Sequence, residues 1–600
     1  MGGSARRDGG ARAEVGGGGR GGKGWRLKAA GVYFFRSRGR VNQRERVSGI
    51  LVAVSYWILA LCAWLPHGPR TGLPYETAFP WNSEVADFPW TMLYYGDPLR
   101  VFTSVFYDLG YRFSSVLGIP GSYLGLEIVF VVLLWARGWL LYLTVRSLLP
   151  GARWLAFVAG AVALTHGSDE AAMFAGQLNQ LGYMFWLLLA FYCLTRATEE
   201  SGSRWRGVFG AGALASCYLS LYSYESPLFL VLIAPVFLAA ADWGRVRRHV
   251  VLMLLWYSTP LALGWRYVRR MYVVGQATYQ SSVMRHDFDL SALLSEWAAQ
   301  VRHSLVAWEW RPGGGDEALA VYGYVAAGVF AAACFALYRL EGSGPAGEQR
   351  VAWRAMGWGV VACAMSFPAY LFLAGGGGFW RTQFLSSLGA GVAMGALLVA
   401  VAGRLGKAQV VVVALAGALT VQMGVEALVA SGQRHWEVWE RHRRVFAQML
   451  AEAPRLKAGT IVVLRGVPKE PDPFGDALWF DFGVRLAYPR QEVAGVYFLA
   501  GGSAGPNQSL KLTAGGEQGE IERWKWNGAG MPPLIREGAA KQAVFFEMDE
   551  GGRVRLVRSW PKWLPVSDIV KQGYEVSAVV EGGAAPAIAA NRYGPLGGGR

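Results

Sequence analysis

The segment at residues 80–100, PWNSEVADFPWTMLYYGDPLR, holds three carboxylates, Glu84, Asp87 and Asp97, among Trp81, Trp90, Tyr94 and Tyr95. Such rings favour the border between lipid and water. Acids in an aromatic loop at a membrane face can take a proton from a hydroxyl presented there; they are equally the acids of an ordinary solvated loop. A second group lies in LTHGSDEAAMFAGQLNQLGY, which places His166, Asp169 and Glu170 at the outer end of an apolar span and leads through Gln177, Asn179 and Gln180 into the next. Ionisable groups at membrane depth are costly and usually face a cavity. The alternative is a helix end with solvated acids and a cap from Ser168 or Asp169. A third group is SLYSYESPLF, where Glu225 follows Tyr222 and Tyr224 and precedes Pro227. Proline suits a first helical turn and a carboxylate there complements the helix dipole, yet all three side chains also belong to the outer surface. Cations on that surface, Arg266, Arg269, Arg270 and Arg381, complete the set. Guanidinium forks match phosphate oxygens. Snorkelling to headgroups explains Arg269 and Arg270 equally well, whereas Arg381, between a Gly turn and a span, is the better candidate for a specific contact. The GGGG at 375–378 is no phosphate-binding fingerprint, because no strand precedes it.

The elements that must position these groups are membrane helices. The chain of 600 residues is 53% hydrophobic and 14% aromatic, and its 17% charged residues fall below the roughly one quarter of soluble domains. The net charge of +16 does not indicate a nucleic-acid partner: residues 1–47 alone carry twelve Lys and Arg against three acids. That Gly/Arg-rich stretch reads as a disordered cytoplasmic tail before a retained first helix. A bilayer needs about 20 apolar residues per helix, which places about eleven spans, at 48–66, 121–147, 152–166, 178–196, 206–223, 226–242, 248–265, 318–338, 355–374, 383–403 and 408–430. Basic loops at 146–153, 196–206, 245–248, 339–354 and 404–407 share one side with the amino-terminal tail, as the positive-inside rule expects for the cytoplasm. The other side receives 66–121, 167–179, 224–225, 266–317, 375–382 and everything past 431. Residues 99–117 and 290–307 read as interfacial amphipathic helices. Past 431 an amphipathic helix, then strands at GTIVVLRG, VAGVYFLA, QAVFFEM and RVRLVRSW, point to a small α/β or α+β extracytoplasmic domain. All five cysteines fall in apolar spans with no metal-ligand spacing, so neither a disulfide framework nor a zinc site is expected.

This layout resembles the GT-C-type membrane glycosyltransferases, most closely their protein O-mannosyltransferase branch. The resemblance covers about residues 48–430 and rests on signals in order: an acidic loop after the first helix, GDPLRVF, ALTHGSDEA and LYSYESPLFL. The departures are that Glu84 and Asp87 are separated where the family has adjacent acids, that its Arg-Pro-Leu segment reads Asp97-Pro98-Leu99-Arg100 here, that Gly167 replaces its proline, and that Tyr224 replaces its lysine. The resemblance implies a polytopic α-helical protein of the cytoplasmic membrane: tail 1–47, catalytic domain 48–430, extracytoplasmic domain 431–600. It implies a sugar moved from a polyprenyl-phosphate carrier to a protein or glycan acceptor. Asp87, with Glu84 next, would be the general base; Arg381 with Arg266 would hold the lipid phosphate; His166, Asp169, Glu170, Tyr224 and Glu225 would orient substrate; Asp97 would pair with Arg100. A divalent metal is an option where carboxylates cluster, though the spacing does not demand one. A transporter or flippase for a lipid-linked or anionic solute, or a non-catalytic envelope assembly protein, are the rival classes.

Overall fold

The computed structural model describes residues 38–68, 100–199, 203–269, 285, 289–308, 317–372, 378–379, 381–475, 477–489, 491, 493–505, 511–512, 518–522, 535–539, 542–564 and 572–593. Glu84, Asp87, Asp97 and Arg270, and the residues expected to form the amino-terminal tail up to 37, lie outside the described residues. The helices are α1 (Arg38–Trp64), α2 (Val105–Val116), α3 (Leu124–Leu148), α4 (Arg153–Leu164), α5 (Leu178–Glu199), α6 (Ser203–Leu221), α7 (Leu228–Ala241), α8 (Trp243–Arg248), α9 (Val250–Val268), α10 (Leu290–Leu305), α11 (Glu317–Glu341), α12 (Gln349–Ala364), α13 (Pro368–Leu371), α14 (Ser386–Ala402), α15 (Gln409–Glu452), α16 (Ala477–Ala487) and α17 (Ala587–Tyr593).

Each of the eleven apolar stretches overlaps one of these helices. Among the described residues five segments, Gln43–Trp64, Leu124–Leu148, Ala175–Glu199, Leu319–Glu341 and Gly406–Glu452, are long and apolar enough to cross a bilayer, and the chain is a multi-pass membrane protein. Three more apolar helices, α4, α7 and α14, are shorter, at 12, 14 and 17 residues. The short α4 sits at the centre, with every residue from Trp154 to Leu164 buried. Small residues let its neighbours close on it: a Cβ at Gly395 of α14 would stand 2.7 Å from the Ala159 backbone nitrogen. Because α4 is held this tightly, the loop leaving its carboxy-terminal end, with His166 and Asp169, is fixed relative to α3, α5 and α14.

The span expected at 408–430 and the amphipathic helix expected after 431 form one continuous 44-residue helix, α15. Gly432 does not interrupt it, because its missing side chain is where His67 lodges: a Cβ there would meet the imidazole Cδ2 at 2.5 Å. His67 also bonds the Val429 carbonyl through Nε2 at 2.8 Å. Beyond α15 lie β1 (Arg455–Leu456), β2 (Ile461–Val467), β3 (Ala494–Leu499), β4 (Lys511–Leu512), β5 (Gln518–Glu522), β6 (Ile535–Ala539), β7 (Ala543–Met548), β8 (Val554–Val557) and β9 (Val580–Glu581). A four-stranded sheet runs β3-β2-β7-β8. β2 is parallel to both β3 and β7, and β8 closes the edge antiparallel. The buried runs in β2, β3 and β7 are the near-continuous apolar pattern of strands covered on both faces. From the chain's far end α17 reaches back to the membrane helices. Asn591 donates to the Pro120 carbonyl at 2.8 Å, and the Arg592 guanidinium stands 5.4 Å over the Tyr123 ring and 6.0 Å from that of Tyr111.

Candidate functional site

Helix direction sorts the polar residues onto two ends of the bundle. α3 runs towards Arg146, α4 runs back from Arg153 to His166, and α5 returns from Gln177 to Glu199. His166, Asp169, Tyr224, Glu225 and Arg381 therefore share one end, and Arg146, Arg153 and Arg196 the other.

Asp169 is 3% exposed, and its carboxylate accepts three backbone N–H bonds: Oδ1 from Ala171 at 2.8 Å and Arg381 at 3.0 Å, Oδ2 from Gln383 at 2.7 Å. It clamps the turn before α14 onto the loop after α4. Burial outweighs these donors and pushes the carboxyl up to about 7. The turn it clamps includes Arg381 at φ +68°, the one non-glycine in left-handed backbone among the described residues. Side chains in that region are uncommon and mark a conformation the surroundings impose.

His166 has both ring nitrogens engaged. Nε2 donates to the Ser304 carbonyl at 3.0 Å, so in the neutral ring Nδ1 accepts from the Ser168 hydroxyl at 3.0 Å. Burial, with smaller pushes from Arg137 and His303, drives its pKa down to about 3 and keeps it neutral. His303 donates to the Ser168 carbonyl at 2.9 Å and stacks on Phe379 at 3.7 Å. The Glu170 carbonyl receives Ser431 at 3.1 Å and His435 at 3.0 Å, while the Glu170 side chain is exposed. Gln300 of α10 takes Thr382 at 3.0 Å and the Gln383 amide, and its own Nε2 donates to Gly378 at 3.0 Å. Thus α10, expected on the bilayer surface, lays a polar face on this loop and turn.

The second half of the site is built on the turn after α6. Glu225 takes both branches of Arg100, the Nε bond measuring 2.9 Å, with the two side chains 22% and 18% exposed. The Arg100 guanidinium also lies 4.3 Å over the Tyr224 ring. Thr103 donates to Ser223 at 2.7 Å and Phe102 to Tyr222 at 3.1 Å, so residues 100–103 are stitched onto 222–225. Arg100 closes on a carboxylate 125 positions away; its expected pairing with Asp97 falls outside the described residues. Arg266 is exposed and reaches the Tyr222 hydroxyl at 3.4 Å.

A buried run of hydroxyls joins the halves. Tyr370 donates to the Arg381 carbonyl at 3.2 Å and interacts with the hydroxyls of Tyr183 and Ser226; Tyr183 stacks on Tyr224 at 5.3 Å. Tyr183 Oη and Ser226 Oγ are buried without a well-aligned hydrogen bond among the described residues. Contacts thus run from Asp169 through the Arg381 backbone, Tyr370 and Tyr183 to Tyr224 by a ring stack, and Arg100 ties Tyr224 to Glu225. Two residues that sequence reasoning passed over belong beside this run. Arg137 is 3% exposed in the middle of α3 and donates to the Leu164 carbonyl, where its charge acts on both Asp169 and His166. Glu127, fully buried, accepts from the Trp64 indole at 2.9 Å. The signal for Arg137 was available: one arginine inside LLWARGWLL is a functional hypothesis by default. No cluster of three His, Cys, Asp or Glu side chains able to hold a metal occurs among the described residues.

If the Arg100–Glu225 pair is an anchor, Glu225→Gln costs about 2 kcal/mol, since it strands a four-fifths-buried guanidinium, and lowers the unfolding midpoint. The exchanged pair Arg100→Glu/Glu225→Arg then recovers most of that loss in a double-mutant cycle. An exchange that recovers nothing assigns Glu225 to a partner other than Arg100.

No family model and no curated protein matches this chain. Among solved structures it is similar to the crystal structure of ArnT from Cupriavidus metallidurans bound to undecaprenyl phosphate, at 13% identity and a TM-score of 0.32, covering 76% of this chain and 85% of that one. A likeness at that level decides neither the fold nor the activity of this chain.

Proposed function

We propose that this protein is a membrane glycosyltransferase that moves a sugar from a polyprenyl-phosphate carrier to an acceptor hydroxyl at the face carrying Arg381 and Glu225. The observation that supports the reading is the run of contacts from Asp169 through the Arg381 backbone, Tyr370, Tyr183 and Tyr224 to the Arg100–Glu225 pair, which ends where the acidic segment at 69–99 rejoins the described chain. In this reading Asp87, or Glu84, takes the proton from the acceptor hydroxyl. The resulting oxygen bonds to the sugar's anomeric carbon as the bond from that carbon to the phosphate oxygen breaks. The electron pair stays on the lipid phosphate, where Arg381 and Arg266 offset the growing charge. Asp169 and His166 hold the loop and turn that present Arg381, rather than touching substrate.

The concentration of these groups at one end favours this reading over a transporter, whose ionisable groups gather near the bilayer midplane. Cytoplasmic-membrane residence, with the amino terminus cytoplasmic and the segment after 431 outside, belongs to the same proposal and rests on loop charge. The test is sugar release from a panel of polyprenyl-phosphate sugars by purified full-length protein. Turnover of at least one donor, dependent on an added protein or glycan acceptor, is the expected result. Failure to turn over or bind any of them returns the chain to the transporter or assembly classes.

A further inference from the structure

The opposite end of the bundle carries a second polar site that the transferase reading does not use. Arg153 donates to Glu45 at 2.5 Å and also to Glu341, while Arg146 stands 3.6 Å from Glu45. Glu199 is shared by Arg245 at 3.1 Å, Arg196 at 3.3 Å and the Ser147 hydroxyl at 2.9 Å. Between these groups lies a cavity of about 430 Å³, within the roughly 300–1,000 Å³ of ligand pockets. Arg146, Arg153 and Arg196 line it against Glu45 and Glu199, with Leu143 and Tyr192 supplying an apolar wall.

Each lining carboxylate serves two guanidiniums, and Arg153 serves Glu341 as well; a guanidinium carries five N–H donors, and those left over for a ligand belong first to Arg146. Arg146 is the least committed of the three among the described residues: beyond its 3.6 Å ion pair it donates to the Tyr142 hydroxyl at 3.2 Å. Its side chain and that of Arg153 are 27% and 29% exposed, so the cavity opens to the surface. Three guanidiniums lining one cleft suit a phosphate better than a carboxylic or neutral ligand, and basic pockets between helices at a membrane boundary accept phospholipid headgroups. We infer that this cavity binds a phosphate group, presented by an anionic lipid headgroup or by a soluble phosphate.

The experiment follows the thermal unfolding midpoint of the full chain in neutral detergent with added phosphatidylglycerol, phosphatidylcholine or inorganic phosphate at matched ionic strength. A ligand of the folded state raises that midpoint by mass action. Phosphatidylglycerol is expected to raise it by several degrees over phosphatidylcholine in the wild type. The same gain is expected in Arg204→Gln/Arg247→Gln, which removes exposed arginines outside the cavity. In Arg146→Gln/Arg196→Gln the gain falls by half or more, and Arg146→Gln alone gives the same reading should the double variant fold poorly. The same pattern with inorganic phosphate and not with the lipid identifies a soluble ligand. Equal gains in the wild type and the cavity variants, or no gain from either phosphate source, overturn the site. Because the readout involves no sugar donor, its failure is distinct from failure of the transferase reading.

Discussion

Asp87→Asn is expected to cut sugar release by about 10²–10⁴-fold, the range that a positioned general base supplies, while binding of the lipid donor is retained. Asparagine keeps the size and one acceptor oxygen but cannot receive a proton from the acceptor hydroxyl. The loss should therefore fall on kcat, with KM for the lipid little changed, as for an interaction made only in the transition state. Glu84→Gln, measured beside it, separates the two acids of the segment. A large loss in Glu84→Gln alone moves the base three positions towards the amino terminus. Full activity in both variants retains the enzyme and removes the base from this segment. A matched loss of donor binding would instead assign Asp87 to recognition.

What the sequence made legible followed from periodicity and hydropathy, which are local. Every apolar stretch long enough to matter overlaps a helix, and GTIVVLRG, VAGVYFLA, QAVFFEM and RVRLVRSW coincide with β2, β3, β7 and β8. The amphipathic stretches at 99–117 and 290–307 contain α2 and α10. Continuity of α15 across Ser431–Gly432 was not legible, because the glycine signals a break unless His67, more than 360 positions earlier, is known to fill its place. Site pairings were hidden for the same reason. Arg100 lies three positions from Asp97 and 125 from Glu225, and nothing in the order of residues says which carboxylate it meets.

The residues of LTHGSDEA look alike as a polar set but differ in their surroundings. His166, Asp169 and Glu170 all read as candidate substrate groups, yet their surroundings divide them. A histidine kept neutral by burial, with each nitrogen committed, has no proton chemistry left to perform near neutral pH. Glu170 lends its carbonyl to α15 and keeps an exposed carboxylate. Asp169 spends both oxygens on backbone N–H groups and so governs the position of Arg381.

Asp169 should consequently show a large effect on stability. Asp169→Ala leaves the amides of Ala171, Arg381 and Gln383 without their acceptor in a buried loop. Each such orphan costs about 1–3 kcal/mol, and the loss of a buried, shared acceptor about 3–5 kcal/mol in all. Asp169→Asn is milder and more informative. Its oxygen can keep the bonds from Ala171 and Arg381, but its NH₂ then confronts the Gln383 amide, donor against donor. The pH dependence fixes the interpretation. A carboxyl at about 7 in the folded protein and near 3.9 when unfolded makes the folded state the better proton binder between those values. Its contribution to stability is complete below about 4 and is lost as the pH rises towards 7. The deficit of Asp169→Asn relative to wild type should therefore widen as the pH is lowered from 8 to 5. His166, His303, Arg137 and Arg381 surround position 169 in both proteins, so the difference isolates Asp169. Unfolding midpoints across that range decide it: a constant deficit would mean that Asp169 is ionised throughout, its three amide donors outweighing burial.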